Sequence, residues 1–283
     1  MTMRNEPTAR QVRLGTELRR LREAAGISAK EIAGLLGTSS AHMSQIESGR
    51  SGISEDRLRR LAAHCACGND HLIDALATMA AERTRGWWEE YRGLLPTSFL
   101  DVSELEHHAT TRQDVEFLQV PGLLQTEDYA RALFSFRVPE LPQSELEPRV
   151  SHRMRRRTII EAPDPIPYET VIHESALRFR VGDRKSARAQ LTRVLGMSEI
   201  ENVSVRVIPF DLDGFAGSSS AMVYAGGVIP RLDTVVRDAP HGTGFLDSEA
   251  QLDRFRTLFR KMEERSLPPE RSRDFIHKLV KEL

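Results

Sequence analysis

The stretch SAKEIAGLLGTSSAHMSQIESGR, residues 28–50, has the pattern of two short helices joined by a glycine. Ser28 and Glu31 form a capping-box pair ahead of an apolar run, which marks the start of the first helix. Ala33 supplies the small side chain needed where the second helix crosses the first. Gly37, four positions later, suits the turn because glycine adopts positive φ without strain. The stretch therefore predicts a helix-turn-helix motif.

The second helix of this motif is expected to bury one narrow stripe and to expose the rest of its surface. Ser39 is placed to cap this helix and Gly49 to end it. Met43 and Ile46 are three residues apart, so they lie on one side of the helix and predict the buried stripe. The opposite side carries short, mostly polar side chains: Ser40, Ala41, Ser44 and Gln45.

These outward side chains indicate double-stranded DNA as the partner. They carry no charge that would repel phosphates, and Ser and Gln can hydrogen-bond to base edges in the major groove. A solvated helix face is the alternative interpretation of the same pattern. The base-reading residues predicted on this basis are Ser40, Ala41, Ser44 and Gln45, with His42 nearby. The predicted phosphate contacts are Ser39, Arg50, Lys30, Arg19, Arg20 and Arg57.

The segments around the motif extend it into an all-helical head over about residues 1–80. One further helix is predicted from the helical spacing of Val12, Leu14, Leu18 and Leu21. Two more helix starts are marked by the capping residues Ser54 and Asn69. Residues 1–64 hold 11 Lys and Arg against 7 Asp and Glu, although the whole chain has a net charge of −1. This positive excess favours a polyanionic partner for the head.

Residues 86–283 mix helix and strand signals and predict an α+β domain, to which we assign regulation and dimerisation in the functional hypothesis below. Strand-like runs are DVEFLQVPGLLQ, which is stopped by Pro121-Gly122, and then PYETVIHE, NVSVRVIPF, SAMVYA and DTVVRD. Helices are predicted for TEDYARALFSF, RVSHRMRRRTII, RKSARAQLTRVLG and the segments 248–265 and 268–283. The proline-bearing segment VPELPQSELEP is expected to be a linker. The predicted fold class is multidomain, with an all-α five-helix helix-turn-helix head and an α+β C-terminal domain.

The composition excludes several classes of protein. Of the 283 residues, 40% are hydrophobic and 29% are charged, a balance typical of globular domains. The chain has no apolar run long enough to span a bilayer and no signal-peptide pattern, so we expect a cytoplasmic protein without a membrane partner. Cys65 and Cys67 are too close for a relaxed disulfide and have no His or Cys cluster beside them. No metal and no cofactor are expected.

Residues 86–283, called the body below, contain few fragments that resemble catalytic motifs. They are His173-Glu174 and the run HGTG at residues 241–244, whereas P-loop, G-x-S-x-G and H-E-x-x-H patterns are absent. Glu174 is expected to cap a helix that begins at Ser175. The sequence therefore predicts no enzyme and no catalytic residue. A sensing pocket between helices and strands fits the α+β pattern better. Its candidate lining residues, for which core packing is the alternative, are Phe210, Phe215, Tyr224 and Phe245.

A basic cluster lies on one predicted helix of the body, and its members are Arg153, Arg155, Arg156 and Arg157. One interpretation is a solvated face that pairs with carboxylates of the body. The other is a set of extra phosphate contacts or a docking site for an acidic partner.

The run LGTELRRLREAAGISAKEIAGLLGTSSAHMSQIESGR resembles the Cro/cI-type (XRE) helix-turn-helix, and the resemblance covers about residues 14–67. That family reads L-x-x-L-R-x-x-G-x-S-x-x-x-L-A and then G-x-S-x-x-x-I-S-x-I-E-x-G. The chain departs from the family pattern at two positions, because Ala29 and Ser40 stand where glutamine is frequent. The resemblance implies sequence-specific DNA binding, but a base preference does not transfer with it.

The rest of the chain is similar to the C-terminal domain of WhiJ-like bacterial regulators. The matching motifs occur in the order WWEEYRGLLP, LEHHA, VPGLLQTEDYARAL and VRVIPF. This resemblance implies a transcriptional regulator, often encoded beside a small partner protein. We expect a homodimer, because one recognition helix reads few bases, and a C-terminal domain that senses a small molecule or a small partner protein. The alternative is an antitoxin-like scaffold that neutralises a small partner or is modulated by it.

Overall fold

The computed structural model describes residues 6–82, 85–215, 221–239 and 242–283. The chain divides into two compact units. The first unit comprises Met1–Gly93 and Phe99–Leu105, and the second comprises Leu94–Ser98 and Glu106–Leu283. The sheet and most of the strand signals of the sequence belong to the second unit.

The first unit is helical over its described residues. Its helices are α1 (Ala9–Ala24), α2 (Ala29–Leu35), α3 (Ser40–Glu47), α4 (Glu55–His64) and α5 (Asp70–Ala81), followed by a 3-10 helix at Trp87–Tyr91 and the middle of α6 (Thr97–His107). The predicted caps are confirmed at the starts of these helices. Ser28 and Glu31 form the reciprocal capping box of α2, and Ser39 accepts a hydrogen bond from the His42 amide at 3.1 Å. Gly37 has a φ of +63°, as the predicted turn requires.

The apolar stripe predicted for the first helix differs from the observed one at its amino-terminal end. Leu18 and Leu21 are buried, but Val12 is 40% exposed. In this part of α1 the residue that faces the interior is Gly15. A Cβ atom on Gly15 would lie 2.5 Å from the Glu47 carbonyl oxygen. The backbone of α3 comes too close to α1 for any side chain at this position.

The second unit contains a six-stranded sheet with helices on both faces. Its elements are β1 (Thr111–Glu116), α7 (Glu127–Ser135), α8 (Gln143–Arg155), α9 (Thr158–Glu161), β2 (Tyr168–His173), α10 (Glu174–Arg178), α11 (Arg184–Met197), β3 (Val203–Ile208), β4 (Met222–Gly226), β5 (Thr234–Ala239), β6 (Gly242–Leu246), α12 (Glu249–Arg265) and α13 (Pro269–Glu282). Two 3-10 helices lie at Gly122–Leu124 and Pro230–Leu232. The fold class predicted from the sequence, an all-α head followed by an α+β domain, is confirmed.

The strand order of the sheet is β3-β2-β1-β4-β5-β6. The first three of these strands are parallel, with Val115 opposite Val171 in one pair and Ile172 opposite Val207 in the next. The remaining pairs are antiparallel. Because β1, β2 and β3 run in the same direction, their carboxyl ends meet at one edge of the sheet, next to the strand where the direction reverses.

Each face of the sheet has its own apolar core. On one face, side chains of β2 and β3 pack with α7, α11 and α13, and buried members include Tyr129, Tyr168, Val194 and Ile276. On the other face, Val115, Tyr224 and Val235 pack with α12 through Phe255 and Phe259. This two-sided burial explains why the adjacent residues Val171 and Ile172 of β2 are both buried, although they point to opposite faces of the sheet.

Two elements of the second unit differ from the sequence prediction. The predicted linker VPELPQSELEP is helical from Gln143 onward, and Pro148 lies inside α8. The helix tolerates this proline because only one backbone bond, to the Ser144 carbonyl, is lost near its start. Strand β6 was not predicted, because its sequence GTGFL has two glycines and no alternation of polar and apolar residues.

Candidate nucleic-acid interface

Helix α3 has one buried side and one polar side. Met43 is fully buried and Ile46 is 2% exposed, which confirms the predicted inward stripe. The side chains predicted to read bases share the outward side. Those that are exposed are Ser40, Ala41, Ser44 and Gln45, and His42 is half-buried beside them. The structure therefore brings the five predicted residues onto one continuous helix surface.

Close contact with α1 fixes the position of α3. Besides Gly15, the contact uses Gly49, which has a φ of +75° just past the end of α3. A Cβ atom on Gly49 would lie 2.7 Å from the backbone nitrogen of Val12. Glycine at both positions allows the two backbones to touch. The outward surface of α3 is therefore held in place by helix α1 rather than by a loop.

A two-point ion pair reinforces this contact. Arg22 of α1 donates from Nε and Nη2 to the two carboxylate oxygens of Glu47, at 2.6 and 2.9 Å. A third bond runs from Arg22 Nη1 to the Ile27 carbonyl at 2.8 Å. The hydrogen bonds with Glu47 raise the pKa of Arg22. Both partners are about nine-tenths buried, so the pair belongs to the interior of the head and not to the outward surface of α3.

The outward hydroxyl groups are partly committed to the helix itself. Ser39 caps the helix, and Ser44 donates to the Ser40 carbonyl at 3.0 Å. The hydroxyl proton of Ser44 is therefore used within the helix, whereas its oxygen lone pairs point outward as acceptors.

The cations predicted to contact phosphates fall into two groups. Arg19 is bonded to Glu23 at 2.7 Å, and Arg20 is bonded to Glu17 at 2.5 Å. The second group has no carboxylate within salt-bridge distance among the described residues, and its members are Lys30, Arg50 and Arg57. The Nε atom of Arg57 is buried without a hydrogen-bond partner. The second group lies on α2, α4 and the segment after α3, and no carboxylate of the described head residues neutralises its charge.

The four aromatic residues predicted to line a pocket do not share one wall. Tyr224 stacks on Phe255, with ring centroids 4.9 Å apart, in the core beneath α12. The sheet register places Tyr224 opposite Val235 and Val235 opposite Leu246. The neighbouring residue, Phe245, therefore points to the other face of the sheet.

Phe210 and Phe215, in contrast, both lie beside His173 at the carboxyl edge of the parallel strands. The centroid distances from the His173 ring are 5.2 Å to Phe210 and 5.7 Å to Phe215. Phe117, just after β1, lies 6.0 Å from the same ring. Phe210 is 60% exposed, so this cluster reaches the surface of the second unit.

The two catalytic-looking residues of the body have structural roles at this edge. His173, and not the predicted Glu174, caps α10 by accepting from the Ser175 amide at 3.3 Å. The carboxylate of Glu174 accepts from the Phe210 amide at 2.7 Å and from Arg178. Burial lowers the pKa of His173, so its imidazole is neutral near pH 7. His241 of the HGTG run lies outside the described residues.

The basic cluster, which spans the end of α8 and the turn that follows it, is only partly a solvated face. Arg156 bonds both oxygens of the buried Glu106, at 2.8 and 2.6 Å. Arg153 donates to Gln125 at 2.9 Å and lies 5.0 Å above the Phe134 ring. These two arginines bind the interior of the second unit, because carboxylate and amide acceptors meet them there.

Glu106 belongs to a buried network that the sequence did not reveal. Arg112 bonds Glu106 and donates to Asp114 at 2.6 Å, and Tyr168 donates to Asp114 at 2.9 Å. Burial acts to raise the pKa of Glu106, but Arg156 and Arg112 outweigh it and hold that pKa at about 2. No sequence pattern links these residues, since their proximity depends on strand pairing.

Comparison with known families covers nearly all of the chain. Residues 99–278 match a family described as "Domain of unknown function (DUF5753)". Residues 13–76 match a family described as "Helix-turn-helix domain", which agrees with the observed head. No curated protein and no solved structure matches the chain.

Other features of the described residues bear on the site. Cys65 and Cys67 are free thiols, and burial raises the pKa of Cys65. Within the described ranges, no three His, Cys, Asp or Glu side chains form a group that could hold a metal ion. The helices of those ranges are too short or too polar to cross a membrane.

Proposed function

The chain belongs to the family defined by the domain of unknown function DUF5753, and from its helix-turn-helix head we propose that it is a sequence-specific DNA-binding transcriptional regulator. The observation that carries this proposal is the surface of α3. Its outward side carries uncharged polar side chains, and the head also holds three cations, Lys30, Arg50 and Arg57, for which the described residues provide no carboxylate partner. Base edges and phosphates require these two kinds of group.

The shape of the head supports the same assignment. Helix α3 has eight residues and is about 12 Å long, a size that enters a major groove. The ion pair between Arg22 and Glu47 and the contact at Gly15 hold this helix rigid before DNA arrives. A preformed surface loses little conformational entropy on binding, which favours selective recognition.

The regulator acts as a homodimer in this proposal. A single α3 surface offers about five side chains to bases, which is too few to select one site in a genome. Two copies on paired half-sites, with centres about 34–36 Å apart, multiply the selectivity. The second unit supplies the contacts between the copies.

The second unit also receives the signal, and Phe210 and Phe215 mark its effector site. Ligands of open sheets with parallel strands bind beyond the carboxyl ends, near the point where strand direction or order changes. Here that edge presents the partly exposed Phe210 next to the neutral imidazole of His173. An apolar, planar molecule with a hydrogen-bonding group fits such a surface. A small partner protein is the alternative signal.

Fluorescence anisotropy on the full-length protein tests the DNA-binding role. The probe is duplex DNA from the region upstream of its own gene, titrated at several salt concentrations with a scrambled duplex as competitor. The expected result is preferential binding of the upstream duplex, which the substitution Gln45→Ala together with Ser44→Ala reduces to the non-specific level. Equal affinity for both duplexes, with and without a candidate partner protein, would refute the proposed function.

A second measurement separates the effector role from the antitoxin-like alternative. Thermal shift assays with a library of planar aromatic compounds should find ligands that stabilise the wild type but not the Phe210→Ser variant. Phe136→Ser is the matched control, because Phe136 is 91% exposed and directly follows α7, whereas Phe210 follows β3 and lies beside His173. Tight binding of a small partner protein, combined with no DNA selectivity, would favour the antitoxin-like scaffold.

A further inference from the structure

Several hydrogen bonds at the carboxyl end of α3 converge on Gln45. The backbone carbonyl of Gln45 accepts hydrogen bonds from the amides of Arg50 and Ser51, at 2.8 and 3.1 Å. It also accepts from the hydroxyl of Ser48 at 3.1 Å. The positive φ of Gly49 makes this possible, because it turns the chain back toward the last turn of the helix.

Ser51 makes a further contact that Ser48 does not make. Its hydroxyl donates to Oε1 of the Gln45 side chain at 3.2 Å. Both side chains lie on the polar surface of the head, and Gln45 is exposed. Among the described residues, Nε2 of Gln45 has no hydrogen-bond partner. The carboxamide is therefore held by its acceptor end, and its donor end remains available.

The orientation of a carboxamide determines which bases it can recognise. Oxygen and NH₂ are nearly equal in size, so a half-turn of an unrestrained Gln exchanges a donor for an acceptor. In the observed orientation the Ser51 hydroxyl donates to Oε1, which leaves the two N–H groups of Nε2 without a partner among the described residues. In the major groove, guanine offers two acceptors, N7 and O6, whereas cytosine offers the N4 donor.

We propose that Ser51 is a positioning residue for base recognition, which orients the Gln45 carboxamide so that its N–H groups select a guanine over a cytosine. This inference rests on the proposed DNA-binding function and goes beyond it, because it identifies a residue outside α3 that determines specificity. Ser51 touches no base in this arrangement. It acts through Gln45 alone, so its effect is confined to the base pair that Gln45 contacts.

The head provides a matched control for this role. Ser48 and Ser51 both bond Gln45 at the same helix end, but Ser48 reaches only the backbone carbonyl. Loss of a hydroxyl that merely supports the end of α3 would weaken binding to every sequence alike. Loss of the hydroxyl that orients the carboxamide would change the preference at one base pair. The two serines therefore separate a structural role from a positioning role.

The experiment selects bound duplexes from a randomised pool with the full-length protein and with the variants Q45A, S51A, S51T and S48A. Q45A identifies the base pair that Gln45 reads. At that position the wild type should prefer guanine to cytosine, and S51A should reduce the ratio roughly five- to tenfold, in line with the discrimination of one oriented contact. S51T and S48A should keep the wild-type ratio.

Three outcomes overturn the inference. An S51A profile equal to that of the wild type overturns it, and so does a uniform loss of affinity shared by S51A and S48A. A preference for cytosine at the position mapped by Q45A would show that Gln45 presents its acceptor instead. If the wild type selects no sequence at all, the proposed function fails as well, so the two failures are distinguishable.

Discussion

Arg22 and Glu47 join α1 to the last residue of α3 through two parallel hydrogen bonds of 2.6 and 2.9 Å. The planar guanidinium donates one hydrogen bond to each carboxylate oxygen, and this two-point contact fixes both the distance between the two side chains and their relative rotation. The orientation of α3 therefore depends on a side-chain pair on its protected side.

Removal of one member of this pair should destabilise the head. In the Glu47→Ala variant, the Arg22 guanidinium stays buried without its carboxylate, which should reduce the free energy of unfolding by about 2–3 kcal/mol. The midpoint temperature of thermal unfolding and the affinity for DNA should both decrease. The control is Asp74→Ala, which removes an exposed pair with Arg59 elsewhere in the head and should leave the unfolding midpoint unchanged. Equal effects of the two variants would contradict the assigned role of Glu47.

The substitution Gly15→Ala tests the close approach of α1 and α3. The added Cβ would lie within 2.6 Å of the carbonyl oxygens of Ile46 and Glu47, so the helices must separate. The expected cost is about 1–3 kcal/mol of unfolding free energy, with a loss of DNA affinity. Gly34→Ala in α2 is the control, because a Cβ there meets no atom within 4 Å. Chemical denaturation should show Gly34→Ala to be neutral or slightly stabilising.

The three cations without carboxylate partners should dominate the salt dependence of DNA binding. Alanine at Lys30, Arg50 or Arg57 should weaken binding to all sequences alike and lower the slope of log affinity against log salt by about 0.9 for each contact. Arg19→Ala should change the slope less, since that guanidinium is already bonded to Glu23. Anisotropy titrations at four salt concentrations measure this slope. A larger change for Arg19→Ala than for Arg50→Ala would contradict the assignment.

Buried His152 should make the second unit sensitive to mild acid. Burial, aided by Arg156, lowers the pKa of His152 to about 3, against about 6.5 in an unfolded chain. Between these values the unfolded state binds the proton and the folded state does not, so stability falls as the pH falls below 6.5. The slope should approach about 1.4 kcal/mol per pH unit.

The variant His152→Gln isolates this contribution. Its unfolding free energy, measured by denaturant titration at pH 7.5 and 5.5, should change less between the two conditions than that of the wild type. The comparison uses slopes, so a lower overall stability of the variant does not affect it. Equal slopes for both proteins would show that His152 is not a buried neutral imidazole.

Local features of the sequence predicted the head well. Each capping side chain lies within three residues of the amide from which it accepts a hydrogen bond. Each turn glycine requires only a positive φ at its own position. Ser28, Ser39 and Gly37 therefore act as predicted wherever the chain folds into helices. The register of Met43 and Ile46 also follows from spacing alone, and it identified the outward residues of α3.

Contacts between distant residues could not be predicted in the same way. In the sequence, Gly15 looks like a residue that destabilises a helix. Only the close approach of the Ile46 and Glu47 carbonyls explains why glycine is required at this position. Glu106, Arg112 and Asp114 look like ordinary surface charges in the sequence, yet strand pairing buries them together. The separation of Tyr224 from Phe245 follows from the register of β4, β5 and β6, which spacing within one strand does not determine.

The sequence by itself determined the elements of the head, their order and the polar face of α3, because capping, turn formation and helical periodicity act over a few residues. It also determined the α+β character of the body through its strand and helix runs. Only the tertiary structure decided which charges are neutralised, which aromatic rings meet at His173 and which serine reaches the Gln45 carboxamide. These depend on where the folded backbone places residues, and the chain path through Gly49 brings Ser51 to Gln45.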